Sequence, residues 1–97
     1  MSLMTFEEFS ASLAGGEPPD GLSPTLRALW FDGKGNWADA HAVAQDIETE
    51  AGARIHAYLH RKEGDLANAR YWYRRAGRTP DDGPLEGEWA ALVRDFL

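Results

Sequence analysis

Three histidines and one glutamate are the residues whose types and spacing point most directly to chemistry. His56 and His60 are four positions apart, so on a helix they share one side, and Glu63 follows in the same stripe. Two histidines at this spacing are typical of helical zinc sites, to which Glu63 can add a third ligand and His41 a fourth. One hypothesis is therefore a divalent metal at His56 and His60, or a small ligand held by all four side chains.

The same histidines also fit a structural role at a seam between helices, where each would pair with a carbonyl or a nearby carboxylate. Helical zinc hydrolases place a glutamate directly after the first histidine as the general base, and Ala57 occupies that position here. The sequence has no cysteine, no glycine-rich phosphate loop and no recognisable serine triad. These features favour a non-catalytic protein over an enzyme and imply no cofactor beyond the metal at the histidines.

Basic residues are concentrated in the middle of the chain. The net charge is -6, but residues 54–78 hold seven basic and two acidic residues, against two and nine in 1–53 and one and five in 79–97. Arg70, Arg74 and Arg78 recur every four residues and form one ridge on a helix. The ridge can bind an acidic protein segment, or it can pair with the acidic helices of its own molecule. The overall negative charge disfavours nucleic acid as a partner.

Periodicity and capping residues predict an all-α fold, with five helices and a short sixth one after Ser23. The predicted helices begin near Thr5, Ser23, Asn36, Glu50, Asp65 and Pro84, and they end near Gly15, Gly33 or Gly35, Ile47, Glu63, Ala76 and Phe96. Ninety-seven residues, 43% of them apolar, suit one domain spanning residues 1–97. We expect no membrane insertion and a cytoplasmic location, because neither a long apolar span nor a secretion signal is present.

The aromatic residues divide into an expected buried set and an expected exposed set. Trp37, Trp72 and Trp89 fall on the apolar sides of their predicted helices, whereas Trp30, Phe31 and Tyr71 are the better candidates for an exposed contact. Four tryptophans exceed what a small core needs, so we expect some of these rings to face solvent or a partner.

An internal repeat relates two parts of the chain at an offset of about 29 residues. Residues 35–40 align with residues 64–69, and residues 26–28 align with residues 55–57. Each unit consists of a helix, a short glycine turn and a capped helix with a small alanine where the helices meet. We expect the first and last helices of the chain to cap the two units.

Residues 64–76 resemble the second helix of a tetratricopeptide or Sel1-like repeat. That family has a turn glycine, then an alanine, an aromatic residue, a second alanine and a proline at set intervals, and Gly64, Ala69, Tyr73, Ala76 and Pro80 follow this pattern. The resemblance covers about residues 23–80. It implies two antiparallel helical hairpins, tetratricopeptide-like, between N- and C-terminal capping helices.

The resemblance further implies a non-catalytic module that binds a protein or peptide segment in a groove lined by the first helix of each unit. By position, the groove residues are Leu29 and Asp32 in the first unit and Arg54, Tyr58 and Arg61 in the second, with Arg70 and Arg74 as the alternative surface. Residues 56–61 and 71–75 also resemble short uncharacterised bacterial proteins. This resemblance does not indicate what activity the chain has. Both a monomer and a homodimer fit, because two repeats leave an apolar edge unless both cap helices cover it.

Overall fold

The computed structural model describes residues 4–97, and within that range the secondary structure is six α-helices without a strand. The helices are α1 (Phe6–Ser12), α2 (Pro24–Gly33), α3 (Trp37–Gln45), α4 (Glu50–Glu63), α5 (Leu66–Arg75) and α6 (Leu85–Phe96). The predicted all-α class is confirmed, and the short second helix is present. The domain predicted over residues 1–97 includes residues 1–3, which lie outside the described range. None of these six helices has the length and apolar content of a membrane span.

Local sequence sets where the helices begin. The Thr5 hydroxyl accepts a hydrogen bond from the Glu8 amide at 3.0 Å, and the Glu8 carboxylate accepts one from the Thr5 amide at 2.8 Å. This reciprocal pair is a capping box, which satisfies two of the amides that a helix start leaves without partners. Asn36 and Asp65 cap α3 and α5 through their side-chain oxygens. The predicted caps at Thr5, Asn36 and Asp65 are confirmed.

The two repeat units turn in the same way. Gly35 and Gly64 have φ angles of +81° and +91°, a conformation that strains any residue with a Cβ. In each turn the amide of the next residue bonds to the carbonyl five residues earlier, at 2.9 Å. The alanines that follow, Ala40 and Ala69, are 0% and 2% exposed, so the two helices of each unit meet at a small side chain.

Helices adjacent in sequence pack against each other from α2 to α5, whereas α6 turns back and packs against α1, α2 and α4. The largest fully buried side chains of the core are Phe9, Leu29, Trp30, Ile55, Leu59, Leu92 and Val93. They come from α1, α2, α4 and α6, so these four helices share one core. The helices α3 and α5 lie on either side of α4 and flank the histidines that it carries.

The last helix, α6, lies across α2 and α4, which are the first helices of the two repeat units. The Trp89 indole donates to the Leu29 carbonyl at 3.0 Å, and the Arg54 guanidinium lies 3.0 Å from the Asp95 carboxylate. We call the surface that α2 and α4 present to α6 the α2–α4 face. The resemblance to the repeat family predicts a peptide groove on this face. In the structure, the chain's own α6 covers the face.

Candidate functional site

The structure brings His41, His56 and His60 together, and we call these three residues the histidine cluster. His41 lies on α3, whereas His56 and His60 lie one turn apart on α4. The Nε2 atoms of His41 and His56 are 3.2 Å apart, and one ring nitrogen from each of the three residues lies within 4.8 Å of the others. His56 and His60 are each 7% exposed, so the cluster is largely shielded from water.

Two tryptophans fix the rings of the cluster from opposite sides. Trp37 stacks on His41 with ring centroids 4.9 Å apart, and Trp72 stacks on His56 with centroids 4.1 Å apart. The Trp37 indole also donates a hydrogen bond of 2.8 Å to the Leu59 carbonyl on α4. Trp37 belongs to α3 and Trp72 to α5. The imidazoles therefore lie between side chains of these two helices.

The hydrogen bonds of His60 identify which of its ring nitrogens offers a lone pair to a metal ion. Its Nδ1 lies 2.6 Å from a Glu63 carboxylate oxygen, which can only accept, so Nδ1 carries the proton. The Asn68 side-chain amide nitrogen, which can only donate, lies 3.4 Å from its Nε2, so Nε2 accepts this hydrogen bond through its lone pair. Glu63 therefore holds the imidazole by its far nitrogen, as carboxylates commonly do behind metal-binding histidines. Glu63 also groups with His60 and Asp65 as candidate ligands, but both carboxylates are exposed.

The spacing of the cluster suits a metal ion with nitrogen ligands. Two nitrogens bound tetrahedrally to zinc at about 2.0–2.1 Å are about 3.3 Å apart, close to the separation of the His41 and His56 Nε2 atoms. One ring nitrogen of the third histidine, His60, lies within 4.8 Å of the ligand nitrogens of the other two, so a common ion requires His60 to move closer. Three imidazoles favour Zn²⁺, Cu²⁺ or Ni²⁺ over Mg²⁺ or Ca²⁺, which prefer oxygen ligands.

Burial favours the neutral forms of His41 and His56. Loss of hydration, together with smaller contributions from the neighbouring His41 and His60, lowers the pKa of His56 to about 4. Burial and then His60 also lower the pKa of His41, partly opposed by the Glu63 carboxylate. A neutral imidazole is the form that binds metals, so little proton competition is expected near pH 7.

The three groove residues predicted on α4 are engaged within the chain. The Arg54 side chain, 16% exposed, pairs with Asp95 of α6. Tyr58 is 2% exposed. The Arg61 side chain is 15% exposed and lies 2.9 Å from the Glu88 carboxylate of α6. Arg54 and Arg61 thus bind α6, whereas the Tyr58 hydroxyl donates to the Asp32 carboxylate of α2.

The alternative pair, Arg70 and Arg74, lies exposed on α5. Among residues 4–97, neither side chain has a carboxylate within 4.0 Å. The exposed large apolar residues of the described chain, Leu66 at 55% and Tyr71 at 44%, lie on the same helix. We call these four residues the α5 outer face. The predicted exposure of Tyr71 is confirmed, but that of Trp30 was wrong: it is 2% exposed in the core.

Asp32, expected to line the groove, instead forms a buried group with Tyr58 and Lys62, which the sequence did not predict. Asp32 is 3% exposed at the end of α2, yet one carboxylate oxygen accepts from the Tyr58 hydroxyl at 2.7 Å and the other from the Lys62 ammonium at 2.9 Å. Burial raises the pKa of the Tyr58 hydroxyl, and its bond to Asp32 raises it further. The signal in the sequence is a carboxylate three residues after Leu29, on the apolar side of a helix.

A second buried carboxylate, Glu88 on α6, has the same kind of partners. The Tyr73 hydroxyl donates to it at 2.7 Å and the Arg61 guanidinium at 2.9 Å. Burial raises the pKa of Glu88, while both partners act in the opposite direction. Glu88 also falls within an apolar stripe, between Leu85 and Leu92. Both groups join helices through charge in the interior, where an unpaired charge would be costly.

Comparison of the chain with protein-family models, with curated proteins and with solved structures finds no match. The resemblance of residues 23–80 to tetratricopeptide repeats stays a prediction, as do the cytoplasmic location and the monomeric or homodimeric state. The geometry of the histidine cluster and of the two surfaces is therefore the basis for assigning a function.

Proposed function

We propose that this protein binds a transition-metal ion, Zn²⁺ or a metal of similar ligand preference, through the histidine cluster. The observation that carries the proposal is the separation of 3.2 Å between the Nε2 atoms of His41 and His56, which come from different helices. His60 presents the lone pair of its Nε2, because its Nδ1–H is held by Glu63. A metal bound here would join α3 to α4.

Three protein nitrogens leave one tetrahedral position for water or a small ligand. Glu63 supports His60 from behind and does not act as a general base next to the open position. The general-base position after the first histidine is Ala57, whose methyl side chain cannot accept a proton. We therefore propose binding of the metal, with or without an added ligand, and no catalysed reaction.

A metal-free hydrogen bond between the two imidazoles is the competing explanation of the short separation. In that case the Nε2–H of one of these two residues, His41 or His56, donates a hydrogen bond, and the Nε2 of the other accepts that bond. The two explanations differ in stoichiometry, because only the metal site takes up one ion for each chain. They also differ at His60, which is required for the metal and takes no part in the bond between the other two.

The proposal is tested with protein purified without an affinity tag, by metal analysis and by calorimetric titration with Zn²⁺. We expect one ion per chain, and Co²⁺ should give the visible absorption of a tetrahedral nitrogen site. His60→Gln should weaken binding by more than the roughly 10–100-fold that loss of a supporting carboxylate costs, and Glu63→Gln should fall in that range. Glu7→Gln, on the exposed side of α1, is the matched control. Unchanged affinity in His60→Gln would refute the proposal.

As a second candidate we propose a tetratricopeptide-like module that binds an acidic protein segment on the α5 outer face. The recurrence of the glycine turn and of the buried alanines at an offset of 29 residues supports two equivalent units. Because α6 covers the α2–α4 face, Arg70 and Arg74 are the predicted partner residues that remain exposed and without a carboxylate. Exposed Leu66 and Tyr71 supply apolar contacts beside them.

This second candidate is tested by comparing wild type with Arg70→Glu/Arg74→Glu. Proteins retained from a lysate would be identified, purified and titrated directly against both forms. We expect a specific partner to lose affinity in the double variant and at high salt, since the contacts are charged. Arg27→Glu reverses an exposed charge on α2 and serves as the control. A partner bound equally by all three proteins would contradict a role for the α5 outer face.

A further inference from the structure

A cavity of about 390 Å³ opens between the ends of α1 and α2, the last turns of α4 and the start of α6. Its walls are apolar and include Leu13, Leu85 and Trp89. Its polar residues include Asp32, which is 3% exposed, together with Tyr58 and Lys62. We call this cavity the Lys62 pocket. It shares no residue with the histidine cluster, and its size falls in the range of about 300–1,000 Å³ typical of small-molecule sites.

One polar group in the pocket, the Lys62 ammonium, has N–H donors that make no hydrogen bond within the described residues. Each oxygen of Asp32 already has a donor, the Tyr58 hydroxyl on one and the Lys62 ammonium on the other. An ammonium has three N–H donors, and this single bond leaves two of the three on Lys62. The Lys62 side chain is 36% exposed, so those two donors are accessible beside an apolar cavity.

The unused donors select the charge of the ligand. A cation would have to compete with Lys62 and Tyr58 for the oxygens of Asp32, whereas an anion can accept from the two remaining ammonium protons. We propose that the Lys62 pocket binds a small organic carboxylate whose apolar body contacts Leu13, Leu85 and Trp89. Charge-assisted hydrogen bonds from the ammonium orient the carboxylate, and burial of the apolar body supplies the hydrophobic contribution.

Of the two carboxylates that line the pocket, Asp32 is paired with Lys62, whereas Glu86 opposes a bound anion. Glu86, at the start of α6, is exposed, so solvent and salt screen its repulsion of a bound carboxylate. Removing this charge should tighten carboxylate binding, and the effect should shrink as the salt concentration rises. Glu86→Gln therefore supplies a surface variant whose predicted sign is opposite to that of any change at Lys62.

The test uses three probes with the same phenylpropyl body: hydrocinnamate, hydrocinnamyl alcohol and phenylpropylamine. Each is titrated by calorimetry and by ligand-observed NMR against the full chain in EDTA, which keeps the histidine cluster free of metal. We expect hydrocinnamate to bind most tightly, and Lys62→Gln to weaken it by about tenfold or more, as for loss of a charged hydrogen bond. Lys62→Arg should retain most of the affinity, and Arg27→Gln at an exposed position of α2 should change nothing.

Three outcomes would overturn the proposal: the alcohol or amine binding as tightly as the acid, none of the probes binding at millimolar concentration, or Lys62→Gln binding the acid like wild type. If Lys62→Gln does not fold, the ranking of the probes on wild type and the effect of Glu86→Gln decide between the outcomes. Because EDTA is present throughout, failure here leaves the metal proposal standing, and failure of metal binding leaves this one standing.

Discussion

Acid should destabilise this protein through His56. The ordinary histidine pKa of 6.5 falls to about 4 in the folded chain, chiefly because of burial, with His41 and His60 adding to it. At a pH between these two pKa values, His56 is protonated in the unfolded chain and neutral in the folded chain. Stability is therefore fully present above about pH 6.5 and falls as the pH drops towards about 4, with the sign that proton linkage requires.

The size of the effect follows from the difference between the two pKa values. A separation of about 2.5 units, at about 1.4 kcal/mol for each unit, is worth about 3 kcal/mol. A domain of this length has a total stability of about 5–15 kcal/mol, so the loss is readily measured. His41 changes in the same direction, because burial and His60 lower its pKa as well.

The assay is urea unfolding in EDTA, followed by far-ultraviolet circular dichroism from about pH 7 to about pH 4.5. Wild type is compared with His56→Gln, whose amide does not titrate. We expect wild type to lose about 2–3 kcal/mol more than the variant across this range, because most of the titration lies within it. Parallel losses in the two proteins would refute the assignment of the acid sensitivity to His56. With saturating Zn²⁺ the dependence on pH should become steeper, since protons then compete with the metal.

Three substitutions elsewhere test the packing around α4 and α6. Arg61→Met leaves the buried Glu88 without its cation, and urea unfolding should show a loss of about 3–5 kcal/mol that the added change Glu88→Gln partly restores; no restoration would contradict the pairing. Gly52→Ala places a Cβ about 2.0 Å from the Ile47 carbonyl oxygen, so the melting temperature should fall, and an unchanged value would show that α4 can shift freely. Gly87→Ala on α6 meets nothing within 4 Å and should raise stability by about 0.5–1 kcal/mol, whereas a loss would indicate an unseen contact.

The helices could be predicted from sequence because their limits depend on neighbouring residues. Thr5 and Glu8 cap α1, and Gly64 ends α4 with a backbone angle that favours glycine. The grouping of His56 with His60 followed from helical spacing alone, and His41 was placed near them by the helix order. The roles of individual cluster residues did not follow, because Glu63 supports His60 instead of joining the other nitrogens.

The position of α6 could not be predicted, because its contacts join residues far apart in the chain. Arg61 reaches Glu88 across 27 positions, and no local pattern encodes that pairing. The same applies to Trp30, which was expected to be exposed but which the tertiary core buries. A carboxylate on an apolar stripe, as at Asp32, is the one local sign that such an interior partnership exists.

The return of α6 over the α2–α4 face also orders the steps of folding. The pairs α2–α3 and α4–α5 close over short stretches of chain, but the Trp89 contact with Leu29 must close a loop of 60 residues. The entropy of that closure places α6 docking late, after the two hairpins exist. Before it docks, the apolar inner sides of α2 and α4 would face water, so we expect slower α6 docking to increase aggregation during refolding.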